Sequence, residues 1–159
     1  MVVHQLKLMI NNFEYPATRL PAIRDQFMDE KSQTTLDTFY ACLHKISSEA
    51  YLPEEDIPKY RTETAEFFLK KAAKHKDDEE LSKYCIGKMI IFSFTKELLS
   101  KAATWILEDK VKIEADELKC QLTVEQKFMI VQRYFASKEF SDEEKKTLAD
   151  KIFEKEDSD

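Results

Sequence analysis

The chain has 159 residues, of which 43% are hydrophobic and 35% are charged, and its net charge at pH 7 is −6. This composition predicts one folded, soluble domain with a sizeable core and excludes a disordered chain. The single glycine excludes phosphate-cradling glycine loops, and the acidic balance argues against a nucleic-acid partner. Scarce glycine with abundant Lys, Glu, Leu and Ala predicts an all-α chain.

Two short helices are predicted before residue 30. The first covers residues 2–10 and places Val3, Leu6 and Ile10 on one face. The second covers residues 16–29, with Pro21 tolerated near its first turn. Its predicted buried side consists of Leu20, Ile23, Phe27 and Met28.

The clearest amphipathic pattern begins at Ser32 and runs to about Tyr51. Its apolar residues recur at helical spacing: Leu36, Phe39, Tyr40, Leu43, Ile46 and Ala50. Pro53 ends this helix, and the acids that follow it are typical of the next helix start. That next helix is predicted to reach about Lys74, with an inward face of Ile57, Tyr60, Phe68 and Ala72.

Two further helices are predicted over residues 78–94 and 95–108. The first is apolar nearly all round at its end, so we expect it to be the most enclosed. Ser93 or Thr95 would cap the second, whose apolar stripe is Leu98, Leu99, Ala102, Ala103 and Ile106. Trp105 lies off this stripe. Residues 109–121 alternate apolar and charged positions over too short a span for a sheet, so we predict a loop.

Capping boxes open the last two predicted helices. Thr123 is followed three residues later by Gln126, and Ser141 by Glu144. The first helix carries one apolar stripe: Val124, Phe128, Val131 and Phe135. The predicted buried face of the second is Leu148, Ala149, Ile152 and Phe153. The four-residue link between them predicts an αα-hairpin.

Together the patterns predict an all-α fold of about eight helices in antiparallel pairs. We expect an irregular HEAT-like α–α superhelix forming a single domain over residues 1–159. The sequence has no strict internal repeat, so a TPR or ankyrin array is not expected.

The side chains that could carry chemistry are scattered. The histidines and cysteines stand apart along the chain: His4, His44, His75, Cys42, Cys85 and Cys120. Neither an H-E-x-x-H nor a C-x-x-C motif occurs, and the acids at 77–80 fit a solvated helix start. We therefore assign no catalytic, cofactor-binding or metal-binding residue. Separate thiols, with neither a signal peptide nor a membrane-length apolar run, predict a cytoplasmic protein.

Five segments carry a family resemblance. They read LKLMINNFEYPATRLPAI (6–23), TLDTFYACLHKISSEAYLPEE (35–55), TWILEDKVKI (104–113), LTVEQKFMIVQRYFAS (122–137) and ADKIFEKEDSD (149–159). These segments resemble the C-terminal helical, HEAT-like domain of zinc aminopeptidases of the aminopeptidase N class. In that family the zinc ligands lie in an upstream domain, and no position of this chain matches them.

The resemblance implies a noncatalytic domain that shapes peptide access to an active site carried upstream. Its partners would be the upstream catalytic domain or a peptide substrate, and zinc would belong to the full-length enzyme. The uncapped first helix and the end at Asp159 then predict a fragment of a longer chain. The alternative is a stand-alone α-solenoid that binds a partner protein. An H-E-x-x-H motif upstream in the same reading frame would separate the two hypotheses.

Overall fold

The computed structural model describes residues 2–11, 19–48, 51–114 and 116–156, and α-helices dominate them. The helices are α1 Val2–Asn11, α2 Leu20–Gln26, α3 Gln33–Ser48, α4 Ile57–Lys74, α5 Glu79–Phe92, α6 Lys96–Glu108, α7 Val124–Ala136 and α8 Asp142–Glu156. A 3₁₀ turn at Glu54–Asp56 leads into α4. The all-α prediction is confirmed, with eight α-helices in the part of the chain that the structure describes.

The chain divides into two compact units, Met1–Phe67 and Phe68–Asp159. In the first unit α1 packs against α3. The predicted inner faces of both helices are buried: Val3, Leu6, Ile10, Leu36, Phe39, Leu43 and Ile46. Phe27 follows α2 and stacks on Phe39 with ring centroids 3.9 Å apart. Residues 16–18 and Ala50 of the predicted helices lie outside the described residues.

A buried arginine links α2 to α4 within the first unit. Arg24 is 5% exposed, and its Nη2 donates to Glu63 Oε2 at 2.6 Å while Nη1 donates to Thr64 Oγ1 at 3.1 Å. Its guanidinium also lies 5.7 Å from the ring centroid of Tyr60, whose hydroxyl donates to the Leu43 carbonyl. A buried charge needs such partners, so this network is structural.

Helix α5 is the inner helix of the second unit, as its apolar sequence predicts. Asp78 caps it by accepting from the Leu81 N–H, and Cys85, Ile86, Met89, Ile90 and Phe92 are buried along it. It ends at Phe92, two residues earlier than predicted. Ser93 is its C-cap residue, which leaves Thr95 as the N-cap of α6.

A small hairpin corrects the predicted loop at 109–121. Strand β1 (Lys112–Ile113) pairs antiparallel with β2 (Asp116–Glu117). The alternating apolar residues Val111 and Ile113 are buried, and the Trp105 indole N–H donates to the Lys112 carbonyl at 2.9 Å. Anchoring by Trp105 explains how so short a segment pairs at all, because an isolated two-stranded hairpin is marginal in water.

Helices α7 and α8 follow the hairpin and share a small core with α6. Tyr134 stacks on Phe140 at 3.7 Å between centroids, and Leu148 packs into the same cluster. Both predicted capping boxes are confirmed by reciprocal hydrogen bonds, Thr123 with Gln126 and Ser141 with Glu144. The predicted burial of Phe153 is wrong: its side chain is 64% exposed, because the inner face of α8 is centred on Leu148.

Candidate interaction surface

The three histidines lie on different elements of the chain. His4 and His44 are exposed on different helices of the first unit, and His75 is half-buried just after α4. Within the described ranges, no group of three or more His, Cys, Asp or Glu side chains could hold a metal ion.

The three cysteines are buried and unreactive in character. Burial raises the pKa of the Cys42 and Cys120 thiols and raises the pKa of Cys85 to about 12. The thiolate is the nucleophilic form, so these thiols are poor nucleophiles at neutral pH. They function as small apolar side chains of the cores.

A groove between α6 and α8 has a volume of about 450 Å³ and an apolar floor that includes Ala103 and Leu148. Its polar rim already serves the local structure. Ser141 and Glu144 form the capping box of α8, and Glu144 also pairs with Lys96 Nζ at 2.6 Å. These contacts give the Glu144 carboxylate and the Ser141 hydroxyl a role in holding the start of α8.

The unusual surface of the second unit is the outer face of α7. The apolar stripe predicted there exists, but it points to solvent: Val124 is 79% exposed, Phe128 67% and Phe135 39%. Val131 lies between them at helical spacing and is half-buried. We name these four residues the α7 stripe. Amphipathic helices bury their apolar stripe as a rule, so this arrangement requires an explanation.

The inner face of α7 is what holds the helix in place. Ile130 is fully buried and Tyr134 nearly so. Gln126 Nε2 donates to the Lys83 carbonyl of α5 at 3.2 Å, and Arg133 Nη1 donates to the Ser93 carbonyl at 3.1 Å. Lys127 Nζ lies 2.8 Å from Asp109 Oδ1, just beyond the end of α6. These contacts fix the rotation of α7 and keep the α7 stripe outward.

The apolar area that the α7 stripe exposes is large enough to compare with known interaction patches. Taking about 200 Å² for a phenylalanine side chain, the α7 stripe exposes on the order of 300 Å² of apolar surface. Single exposed apolar residues are normal, but a contiguous patch of this size marks an interaction site on many proteins. The stripe is therefore the strongest candidate site in the described residues.

Sequence reasoning found the α7 stripe but not its orientation. The inner face consists of Gln126, Ile130 and Tyr134, of which only Ile130 is purely aliphatic. Because Gln126 and Tyr134 carry polar groups, a hydropathy pattern does not mark this face as buried.

No protein-family model matches the chain, no curated protein matches it, and no solved structure matches it. The resemblance to the helical domain of zinc aminopeptidases therefore stays a prediction from the sequence. In the part of the chain that the structure describes, every helix is too short or too polar to cross a membrane.

Proposed function

We propose that this chain is a noncatalytic helical interaction module that holds the apolar face of a partner helix along the α7 stripe. The observation that carries the proposal is the outward exposure of Val124 and Phe128 on a helix whose inner face is fixed. Covering about 300 Å² of apolar surface is worth about 7 kcal/mol at ~25 cal/mol per Å². Association itself costs several kcal/mol, so the proposal implies weak to moderate affinity.

The geometry of the stripe specifies the partner's shape. The stripe extends over 12 residues of helix, from Val124 to Phe135, and so rises about 16 Å at ~1.5 Å per residue. That length matches about three turns of an amphipathic helix with apolar residues at i, i+3, i+4 and i+7, which is a common mode of helix recognition.

The test is a selection of amphipathic helical peptides, about 14 residues long, for binding to the 159-residue chain. We expect selected peptides to lose at least tenfold in affinity for Phe128→Glu, because a charge would be buried under the bound helix. Phe153→Glu is the matched control on α8, since Phe153 is similarly exposed at 64%. Binding that ignores Phe128 and depends on Phe153 would contradict the proposal.

The second candidate is the noncatalytic helical domain of a zinc aminopeptidase, which is favoured by the five resembling segments alone. In that candidate the upstream catalytic domain would cover the α7 stripe, and the module would limit peptide access to the zinc site. The chain itself would contribute packing surface and no ligand to the metal.

Four observations test this second candidate. Blotting of the endogenous protein should give a band several times larger than 18.7 kDa. The reading frame that encodes this chain should contain an H-E-x-x-H motif upstream of it. Purified residues 1–159 should bind no stoichiometric zinc and should cleave no aminoacyl-nitroanilide. Zinc and hydrolysis that copurify with this chain would overturn both candidates.

A further inference from the structure

We propose that two copies of this chain pair through α7, with the two helices antiparallel and related by a two-fold axis. The inference rests on the proposed function, because it names a second copy as an occupant of the α7 stripe. A two-fold interface is self-complementary: each surface must fit itself after rotation by half a turn. The α7 stripe meets that condition in its shape and in its flanking polar groups.

Large and small residues alternate along the α7 stripe in the order Val, Phe, Val, Phe. The spacing of the stripe is four, three and four residues, which is the spacing of a coiled-coil seam. An axis between residues 129 and 130 places Phe128 against Val131 of the partner subunit. It also places Phe135 against Val124 of the partner subunit. Each layer then contains one large and one small side chain, which is the combination that interdigitates well.

A parallel arrangement fits less well. It would stack Phe128 on its own copy and Val131 on its own copy, so wide layers would alternate with narrow ones. It would also align the two helix dipoles side by side, whereas the antiparallel arrangement opposes them. The antiparallel pairing is therefore the one that the sequence of α7 favours.

The flanking polar groups are compatible with the same axis. Glu125 and Gln132 are exposed on one side of the stripe. The two-fold axis brings the Gln132 amide close to the carboxylate of Glu125 of the partner subunit, which can accept its hydrogen bond. Lys127 is on the other side, where Asp109 already compensates its charge at 2.8 Å. In this antiparallel pairing, like charges do not face each other across the seam.

The apolar area that the two copies would bury limits the stability of the dimer. Two copies would bury on the order of 600 Å² of apolar stripe in total, which is below the ~1,200–2,000 Å² of stable interfaces. Buried area alone does not fix an affinity, but an interface this small belongs to the weak, transient class, so we expect a weak and reversible dimer. Such a dimer would be mostly dissociated at about 10 μM and would form increasingly as the concentration approaches about 1 mM.

Sedimentation of the 159-residue chain across that concentration range tests the pairing. The weight-average mass should rise from 18.7 kDa toward twice that value. Phe128→Glu should stay monomeric throughout, and Phe153→Glu should dimerise like the parent chain. Far-UV circular dichroism verifies the fold, and Phe128→Ser provides the same test with a neutral side chain.

Cross-linking tests the direction of the helices. An equimolar mixture of Val124→Cys and Phe135→Cys chains, treated with a short bis-maleimide, should give the mixed dimer in preference to either homodimer. Preferred Val124→Cys homodimers would overturn the antiparallel arrangement.

A chain that stays monomeric at 1 mM overturns the inference. The proposed function is judged separately by the peptide selection. Selected helices that require Phe128 for binding to a monomeric chain would leave the interaction module standing and remove only the second copy. Peptide binding that is indifferent to Phe128, together with a monomeric chain, would remove both.

Discussion

Gly87 is the only glycine of the chain, and it lies where α5 passes close to α7. A Cβ atom at this position would lie 2.9 Å from Nε2 of Gln126. That amide is not free to move without loss, because it donates to the Lys83 carbonyl and its oxygen accepts from the Thr123 N–H. One side chain thus couples the cap of α7 to the packing of α5.

We expect Gly87→Ala to destabilise the chain by about 1 kcal/mol. Alanine gains about 0.5–1 kcal/mol of helix propensity over glycine, but displacing the amide of Gln126 weakens two hydrogen bonds worth ~0.5–1.5 kcal/mol each. Urea unfolding measures the difference. In a Gln126→Ala background the clash is gone, so Gly87→Ala should stabilise. Equal stabilisation in both backgrounds would show that the amide moves at no cost.

Asp109 is the second residue that connects elements. It ends α6 in the left-handed region with φ 53°, and its carboxylate pairs with Lys127 and Lys155. Lys155 Nζ also donates to the Ile106 and Leu107 carbonyls, which are unsatisfied groups at the end of α6. The hydrogen bonds from the two lysines lower the pKa of Asp109 from its ordinary value of 3.8.

This shift predicts an acid-dependent contribution to the free energy of unfolding. Because the folded-state pKa is lowered, the stabilisation is present above pH 3.8 and is lost as the pH falls through the lower folded value. Asp109→Asn retains a side chain that tolerates positive φ and removes only the charge. It should cost about 1 kcal/mol or less at pH 6, since Asp109 is half exposed and screened by solvent.

The measurement is urea unfolding of both chains between pH 2 and pH 6. The difference in unfolding free energy should shrink as the pH falls, because the parent carboxylate becomes protonated. Asp150→Asn, the same substitution at an exposed position of α8, is measured alongside as the control. A difference that persists unchanged at pH 2 would contradict the ionic explanation.

At the scale of elements, α7 has a buried inner face centred on Ile130 and an exposed outer face, the α7 stripe. Ile130→Ala should cost about 2–5 kcal/mol, because it opens a cavity at a fully buried position. Phe128→Ala, two residues earlier and 67% exposed, should change the unfolding free energy by less than about 0.5 kcal/mol. Chemical denaturation at about 5 μM protein keeps association out of the comparison. A large loss for Phe128→Ala would mean that its ring packs against this chain.

The elements themselves were predictable from the sequence because their signals are local. Capping boxes, prolines and 3.6-residue periodicity placed α3 to α8 within a few residues, and those signals act within a turn or two of helix. What failed depends on contacts that helix periodicity and capping signals do not encode. The hairpin at 112–117 needs the Trp105 anchor, and the exposure of the α7 stripe needs the contacts with Lys83 and Ser93.

At the scale of the whole molecule, the division at Phe67 and Phe68 falls inside α4. Phe67 lies edge-on to Phe39 of the first unit, with ring centroids 6.0 Å apart. Phe68 stacks with Phe92 of the second unit at 6.2 Å. Periodicity cannot reveal such a division, because the helical pattern runs without a break through both residues.

The division predicts that a destabilising substitution in the core of one unit speeds amide exchange mainly within that unit. Ile46→Val in α3 and Ile86→Val in α5 form a matched pair, since both side chains are 1% exposed and each loss is about 0.5–1.5 kcal/mol. Native-state hydrogen exchange should show Ile46→Val speeding exchange in α1 and α3, and Ile86→Val speeding it in α5 and α7, because compact units open separately. Equal acceleration in all helices by both variants would show that the chain unfolds as one cooperative block.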